Sequence, residues 1–334
     1  MAAHKTMHAV QYGSYGGGAD ALKHVEVLVP SPKKDEVLLK IEAAAINPFD
    51  WKVQKGAVRP FMPRKFPHTP VVDVAGEVVD VGPEVNSLKQ GDKVVSLLNI
   101  MTGGGLAEYA VASTNLTTIL PPTTPPDEAA GLPTASLTAL QALRYAGVEL
   151  GRPNQQPKNI LITAASGGIG QFATQLAKLA NLHVTATCGA RNIDLVRSLG
   201  ADEVLDYKTP EGASLISPSE KKYDAVIHCA TGISWSAFEP NLAEKGKVVD
   251  ITPTMKVMMT SLLQKLTFSK KQIVPLMLSP QGKDLSFIVG LVGEGKLRTV
   301  IDSRYPLEKA EEAWAKSMSG HATGKIIVEM RSSS

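Results

Sequence analysis

Residues Thr163-Ala164-Ala165-Ser166-Gly167-Gly168-Ile169-Gly170 lie between a short apolar run and an amphipathic one. Small residues in that position let backbone approach a diphosphate, and a helix starting there offers it unpaired N–H groups. The spacing is Ala164-x-x-Gly167-x-x-Gly170, with alanine where the usual dinucleotide fingerprint has its first glycine. Ser166 adds a hydroxyl suited to a phosphate oxygen. The plain alternative is a glycine-rich turn that serves helix–sheet packing only. Roughly twenty residues further on, a fold built for NAD carries an acid to accept from the ribose 2′-hydroxyl. Here the sequence is Thr187-Cys188-Gly189-Ala190-Arg191-Asn192, with no acid and one arginine. A guanidinium matches a 2′-phosphate, which a carboxylate would repel. The expected nucleotide is therefore NADPH, unless Arg191 is only a solvated helix-start residue.

These residues need a particular frame. Ile160–Thr163, His183–Thr187, Glu203–Asp206, Ala225–His228 and Lys247–Ile251 read as short buried strands. Helices are expected over Ile169–Ala180, with Phe172, Leu176 and Leu179 on one face, and over Ile193–Leu199. Such alternation implies a doubly wound parallel sheet, because parallel strands need crossover connections. The first third is different. Strands are expected at Met7–Tyr12, Val37–Ala43, Val71–Gly82 (broken at Gly76) and Lys93–Leu98. A proline run, 121–126, then leads to Asp127, a suitable cap for a helix over Ala129–Leu143. After Val300 come a strand, a helix over Leu307–Lys316 and a strand over Lys325–Val328.

Composition narrows the function classes. The 334 residues carry 35 Lys+Arg against 32 Asp+Glu, a net +3, with no basic tract. Nucleic acid is therefore not an expected partner. Two cysteines, Cys188 and Cys229, build neither a disulfide framework nor a cysteine-rich zinc site. His8, His24, His68, His183, His228 and His321 form no i, i+4 pair among themselves and read as surface or satisfied polar residues. No stretch of eighteen or more apolar residues is present. The N-terminus shows neither a signal core nor a transit-peptide preface.

A β-rich first part, a nucleotide-binding middle and a short C-terminal return resemble the medium-chain dehydrogenase/reductase family over essentially the whole chain. Its zinc-dependent members place cysteine and Gly-His-Glu at two early sites. The matching positions here are Asn47, in Asn47-Pro48-Phe49-Asp50-Trp51-Lys52, and Val72-Asp73. Asparagine and valine do not suit zinc, so the resemblance is to the zinc-free quinone-oxidoreductase branch. Within that branch, Asn47 to Gly56, the phosphate loop, Thr187 to Asn192 and Gly320-His321-Ala322-Thr323-Gly324-Lys325 are similar to plant chloroplast-envelope members and to enone and alkenal/one oxidoreductases. The resemblance implies an α/β architecture. A GroES-like β-rich catalytic domain, 1–126 with 298–334, would be interrupted by a Rossmann domain, 127–297, with cofactor and substrate in the cleft.

It also implies NADPH without zinc, reducing the activated double bond of enones or alkenals, oxylipin-derived ketones included. A quinone reductase or a non-catalytic NADPH-binding scaffold at a membrane are the alternatives. Lys52 and Asn47 are the catalytic candidates: Lys52 to polarise the acceptor oxygen or meet the cofactor ribose, Asn47 to donate to that oxygen or orient the nicotinamide. An exposed lysine is the plain reading of Lys52. Phe49, Trp51 and Phe61 would enclose the substrate. By family position, Thr138 meets the carboxamide and Tyr207 the 2′-phosphate. Cys229, Ile251 and Lys325 line the ribose, nicotinamide and pyrophosphate, while core packing is the plain reading of each. A homodimer is implied, peripheral at the chloroplast inner envelope or else cytoplasmic. Finally, Met255, Met258, Met259, Leu262, Leu263 and Leu266 recur at helical spacing near Lys256, Lys265, Lys270 and Lys271. That pattern suits a pocket or subunit contact, or an anionic bilayer.

Overall fold

Alternating apolar residues in the first third become paired strands in the computed structural model, which describes residues 5–63, 65–150 and 158–330. Strand β1 (Thr6–Gln11) pairs antiparallel with β2 (Lys23–Leu28), burying Met7 and Ala9 against Ala107. Then follow β3 (Glu36–Ile46), α1 (Pro48–Gln54), β4 (Asp73–Val81), β5 (Lys93–Leu97), β6 (Tyr109–Ser113), β7 (Thr117–Ile119) and α2 (Pro126–Ala130). The strand expected to break at Gly76 does not. Instead a Cβ at Gly76 would lie 2.2 Å from the Lys40 carbonyl, so glycine lets β3 and β4 approach across a bulge. Asp127 is not a cap either. Pro125 takes that position and Pro126 starts the helix, while the Asp127 carboxylate accepts from Arg304 Nη2 at 2.6 Å.

Helix α3 (Pro133–Tyr145) leads into the second pattern: β8 (Asn159–Ile162), α4 (Gly170–Leu179), β9 (His183–Cys188), α5 (Ile193–Ser198), β10 (Glu203–Asp206), α6 (Pro210–Ser214), β11 (Tyr223–His228), α7 (Trp235–Phe238), β12 (Leu242–Asp250), α8 (Met255–Leu266) and β13 (Gln272–Pro275). Six of these strands form one parallel sheet, ordered β10-β9-β8-β11-β12-β13. That order winds outward in both directions from β8 and β11, the dinucleotide-binding arrangement with its switch point between them. Leu161, Val226, Val248, Tyr223 and Phe238 pack one side of it. On α4, Phe172 and Leu176 are fully buried, but Leu179, expected on the same face, is exposed at the last turn.

The chain then returns through α9 (Gly282–Gly293), β14 (Ile301–Pro306), α10 (Ala310–Met318) and β15 (Lys325–Glu329). Strands β14 and β15 complete a seven-stranded sheet, ordered β14-β15-β3-β4-β5-β7 with β6 on β3. Two units result, residues 1–134 with 280–334 and residues 135–279. The boundaries that the resemblance implies, 126/127 and 297/298, lie a helix away from these divisions; α9 packs on β7 of the first unit. Among the described residues no helix is long and apolar enough to cross a membrane.

Candidate active site

In the second unit the chemistry gathers at one sheet edge. The phosphate loop leaves the carboxyl end of β8, Gly189 to Arg191 leave β9, Tyr207 leaves β10, Cys229 leaves β11 and Ile251 leaves β12. Ligands of open α/β sheets bind at that edge. Ser166, Gly167, Gly168 and Ile169 are each partly exposed there. Ala164, at the fingerprint's first glycine position, takes φ 50°, a left-handed backbone that glycine adopts more cheaply. Its N–H donates to Thr187 Oγ1 at 3.2 Å, and Ala165 N donates to the Thr187 carbonyl at 2.9 Å. A Cβ at Gly170 would lie 2.3 Å from the Ala164 carbonyl, so only glycine lets α4 start that close. This cradle fits a diphosphate. Gly189 lies beside the Tyr207 ring, which an added Cβ would meet at an ordinary contact of 3.6 Å. Arg191 is exposed next to them, a site fitting a 2′-phosphate.

Residues that sequence reading passed over hold this edge together. Asn192 donates to Ser166 Oγ at 3.0 Å. Thr163 Oγ1 accepts from Cys229 N at 2.9 Å and Ala230 N at 3.1 Å, and lies 3.0 Å from His228 Nδ1, tying the ends of β8 and β11 across the switch point. His228 is thus no surface residue: burial lowers its pKa and the Asp250 charge opposes that. Burial likewise pushes the Cys188 thiol up to about 11 and Cys229 up to about 12, so neither is a thiolate nucleophile near neutrality. Thr138 is buried within α3.

The first unit contains a buried polar network. Asn47 precedes α1, and its N–H donates to Asp50 Oδ2 at 2.7 Å, half of a capping box. Its amide Nδ2 donates to Asp73 Oδ2 at 2.8 Å and more weakly to the Ala45 carbonyl at 3.4 Å. Its Oδ1 accepts from Lys325 Nζ at 2.5 Å, and that ammonium stands 3.6 Å from Asp73. Asp73 Oδ1 takes two further donors, Thr134 N at 3.0 Å and Thr134 Oγ1 at 2.6 Å. Lys325 is only 2 % exposed; burial lowers its pKa, while Asp73 and Asp50 favour its charge. Burial raises the Asp50 carboxyl to about 7, assisted by the Asp73 charge and opposed by the Asn47 N–H and by Lys325.

Both polar atoms of the Asn47 carboxamide, named above as a catalytic candidate, are thus already engaged. A zinc ion does not fit the donor set: Asn47 is engaged, Val72 has no donor and Asp73 faces an ammonium. Lys52 lies in the last turn of α1, half-buried, its Nζ 5.7 Å from the Trp51 ring centroid. The three aromatic residues do not form one wall. Phe49 and Trp51 are half-buried on α1, whereas Phe61 is 69 % exposed on the turn beyond.

Residues 33–122 match the alcohol dehydrogenase GroES-like domain, and residues 199–328 match the zinc-binding dehydrogenase family. The chain is 64% identical to the spinach (Spinacia oleracea) chloroplastic quinone-oxidoreductase homolog, over 97% of this chain and 99% of the relative. It is 32% identical to the Arabidopsis thaliana chloroplastic NADPH-dependent alkenal/one oxidoreductase, over 97% and 80%. Among solved structures, the quinone oxidoreductase of Coxiella burnetii superposes with TM-score 0.88 at 31% identity, covering 98% of this chain and 100% of that one.

Proposed function

The chain belongs to the quinone-oxidoreductase branch of the medium-chain dehydrogenase/reductase family, and on that premise we propose that it is an NADPH-dependent reductase of activated double bonds in enones and alkenals. The observation that carries the reading is the single sheet edge where the phosphate loop, Arg191, Tyr207, Cys229 and Ile251 meet. When bound, NADPH supplies the hydride. Ser166 and the N–H groups of Gly167 to Ile169 would hold its diphosphate. Gly189, Ala190 and Arg191, beside Cys188 and Tyr207, would hold the 2′-phosphate end. Thr138, Cys229, Ile251 and Lys325 would meet the remainder. Lys52 donates to the acceptor oxygen or the ribose and stabilises negative charge as it develops, a need that is smaller for an enone than for a simple carbonyl. Asn47 fixes α1, on which Lys52, Phe49 and Trp51 are carried.

A quinone as acceptor is the second reading, favoured by the name of the 64%-identical spinach relative. The alkenal/one relative at 32% supports the first. NADPH carrying deuterium on the transferred position separates them. An enone should yield saturated ketone with the label on its β-carbon, and Lys52→Met should lose about a hundredfold in kcat/KM. Hydroquinone from a quinone, with enones untouched, would make the second reading the right one. NADPH binding without oxidation of any kind would leave a scaffold.

The chloroplast is the location that the relatives' names support. The outward apolar face of α8 supports a contact surface, for which we take a second copy of the chain as first occupant. Sedimentation showing a monomer, together with binding to anionic vesicles, would instead favour peripheral membrane attachment.

A further inference from the structure

Thr163 stands one residue past β8, at the root of the phosphate loop, and no step proposed above uses it. It is fully buried, so it is not itself a contact for a ligand at the sheet edge. A hydroxyl has one proton to give and two acceptor positions. Both acceptor positions of Thr163 are filled, by Cys229 N at 2.9 Å and Ala230 N at 3.1 Å. Its own proton is left for His228 Nδ1 at 3.0 Å. The hydroxyl is therefore saturated by three groups that all belong to the end of β11. A backbone bond from Thr163 N to the Ile227 carbonyl, at 3.1 Å, adds a fourth tie.

The direction of these bonds has two consequences. First, the amides of Cys229 and Ala230, at the carboxyl end of a parallel strand, are spent inside the protein. They are closed to a diphosphate, which leaves the loop from Ser166 to Ile169 as its place. Second, a proton given to Nδ1 requires that nitrogen to be bare, so the neutral His228 imidazole carries its single proton on Nε2. An imidazolium would point a second N–H at an oxygen with no lone pair left. Burial already lowers the His228 pKa, against the charge of Asp250, its cross-strand partner on β12. The ring is held edge-on to Phe238 with centroids 4.9 Å apart, and the His228 carbonyl accepts from Ile251 N at 3.3 Å. One chain of bonds thus runs from β8 through the end of β11 to the residue that follows β12.

We propose that Thr163 is a positioning residue for NADPH: its hydroxyl fixes the turn after β11 relative to the phosphate loop, so that a dinucleotide laid across the switch point meets both in their binding arrangement. Loops that are ordered beforehand need not be ordered by the ligand, and affinity rises accordingly. The inference deepens the NADPH reading, on which it rests for the ligand, while the clamp itself stands on the geometry.

Fluorescence titration of the full chain with NADPH tests it on wild type, Thr163→Val and Thr163→Ser. Valine keeps the shape without the hydroxyl, and serine keeps the hydroxyl. The valine variant should bind NADPH about tenfold more weakly, and the serine variant less than about threefold more weakly. A merely structural role would lower the melting temperature of Thr163→Val yet leave its NADPH affinity, measured well below the melt, at the wild-type value. That result would overturn the proposal. A second measurement needs no variant. In nitrogen-15 spectra of histidine-labelled wild type at neutral pH, His228 Nδ1 should be bare and Nε2 protonated. A proton on Nδ1 would overturn the bonding on which the proposal stands. Neither experiment reads turnover: the expected valine–serine difference, in a protein that reduces no acceptor, would refute the reductase reading and spare this one.

Discussion

Asp73 satisfies its two oxygens with donors from Thr134 and Asn47, and its charge faces the buried ammonium of Lys325. Removing one partner of such a pair strands the other, so Lys325→Met should cost about 3–5 kcal/mol in urea unfolding. None of this was legible beforehand. Asp73 and Lys325 belong to distant strands, and one sequence does not reveal that β3 lies between β4 and β15. The Asn47–Asp50 half of the network is local, since Asn-x-x-Asp is a capping pattern, but its use as a cap emerges only with the helix in place. Asp50 and His68 give opposed pH dependences. The Asp50 carboxyl, about 7 when folded against 3.8 as a free side chain, holds its proton more tightly in the folded state. Its stabilising contribution is full below 3.8 and is lost as pH rises through 7. His68, about 4 against 6.5, contributes stability above 6.5 that is lost as pH falls towards 4. Between those limits the slopes offset each other. Urea midpoints should therefore fall with rising pH in His68→Asn and rise with it in Asp50→Asn. Arg191→Ala should raise KM for NADPH about ten- to a hundredfold with little change for NADH, the size of a charged hydrogen bond; equal effects on both would remove its 2′-phosphate role.

The phosphate loop works as an element, since its shape depends on which residue tolerates which backbone. Gly170→Ala would drive a Cβ against the Ala164 carbonyl, and NADPH affinity should fall more than tenfold. Ala164→Gly should do the opposite to stability, relieving about 1 kcal/mol of left-handed backbone strain; a thermal melt checks it, and a lowered midpoint would refute the strain. Buried strands such as β8 and β11 could be read from apolar runs with little error, because packing on both faces leaves few alternatives. The short edge strands β2, β7 and β13 and helix α9 were not, since their residues carry weak periodicity and gain order from neighbours. Helix α8 shows the limit of pattern reading from the other side. Its apolar stripe was plain, but in the structure Ser261 and Gln264 face inward, Gln264 accepting from Ile273 N at 2.7 Å. The stripe faces outward: Met255 is 78 % and Leu266 67 % exposed, with Phe268 at 91 % beyond the helix. Such a face marks a contact surface.

For the whole molecule, composition and motif order foretold a two-part chain, and the two larger sheets bear out the α/β architecture with a GroES-like part and a parallel Rossmann-type part. Each unit contributes a distinct piece: the parallel sheet a glycine-rich loop whose shape fits a diphosphate, the mainly antiparallel sheet a buried cation–carboxylate network and the lysine of α1. Which acceptor they serve is the least legible property, because hydride acceptors differ by a few contacts on a shared frame. The most direct test is the rate of NADPH oxidation with four matched acceptors: an enone, its saturated ketone, an alkenal and a quinone. Turnover of the enone and alkenal, with none of the saturated ketone, is the expected result. Turnover of the quinone alone would contradict double-bond reduction.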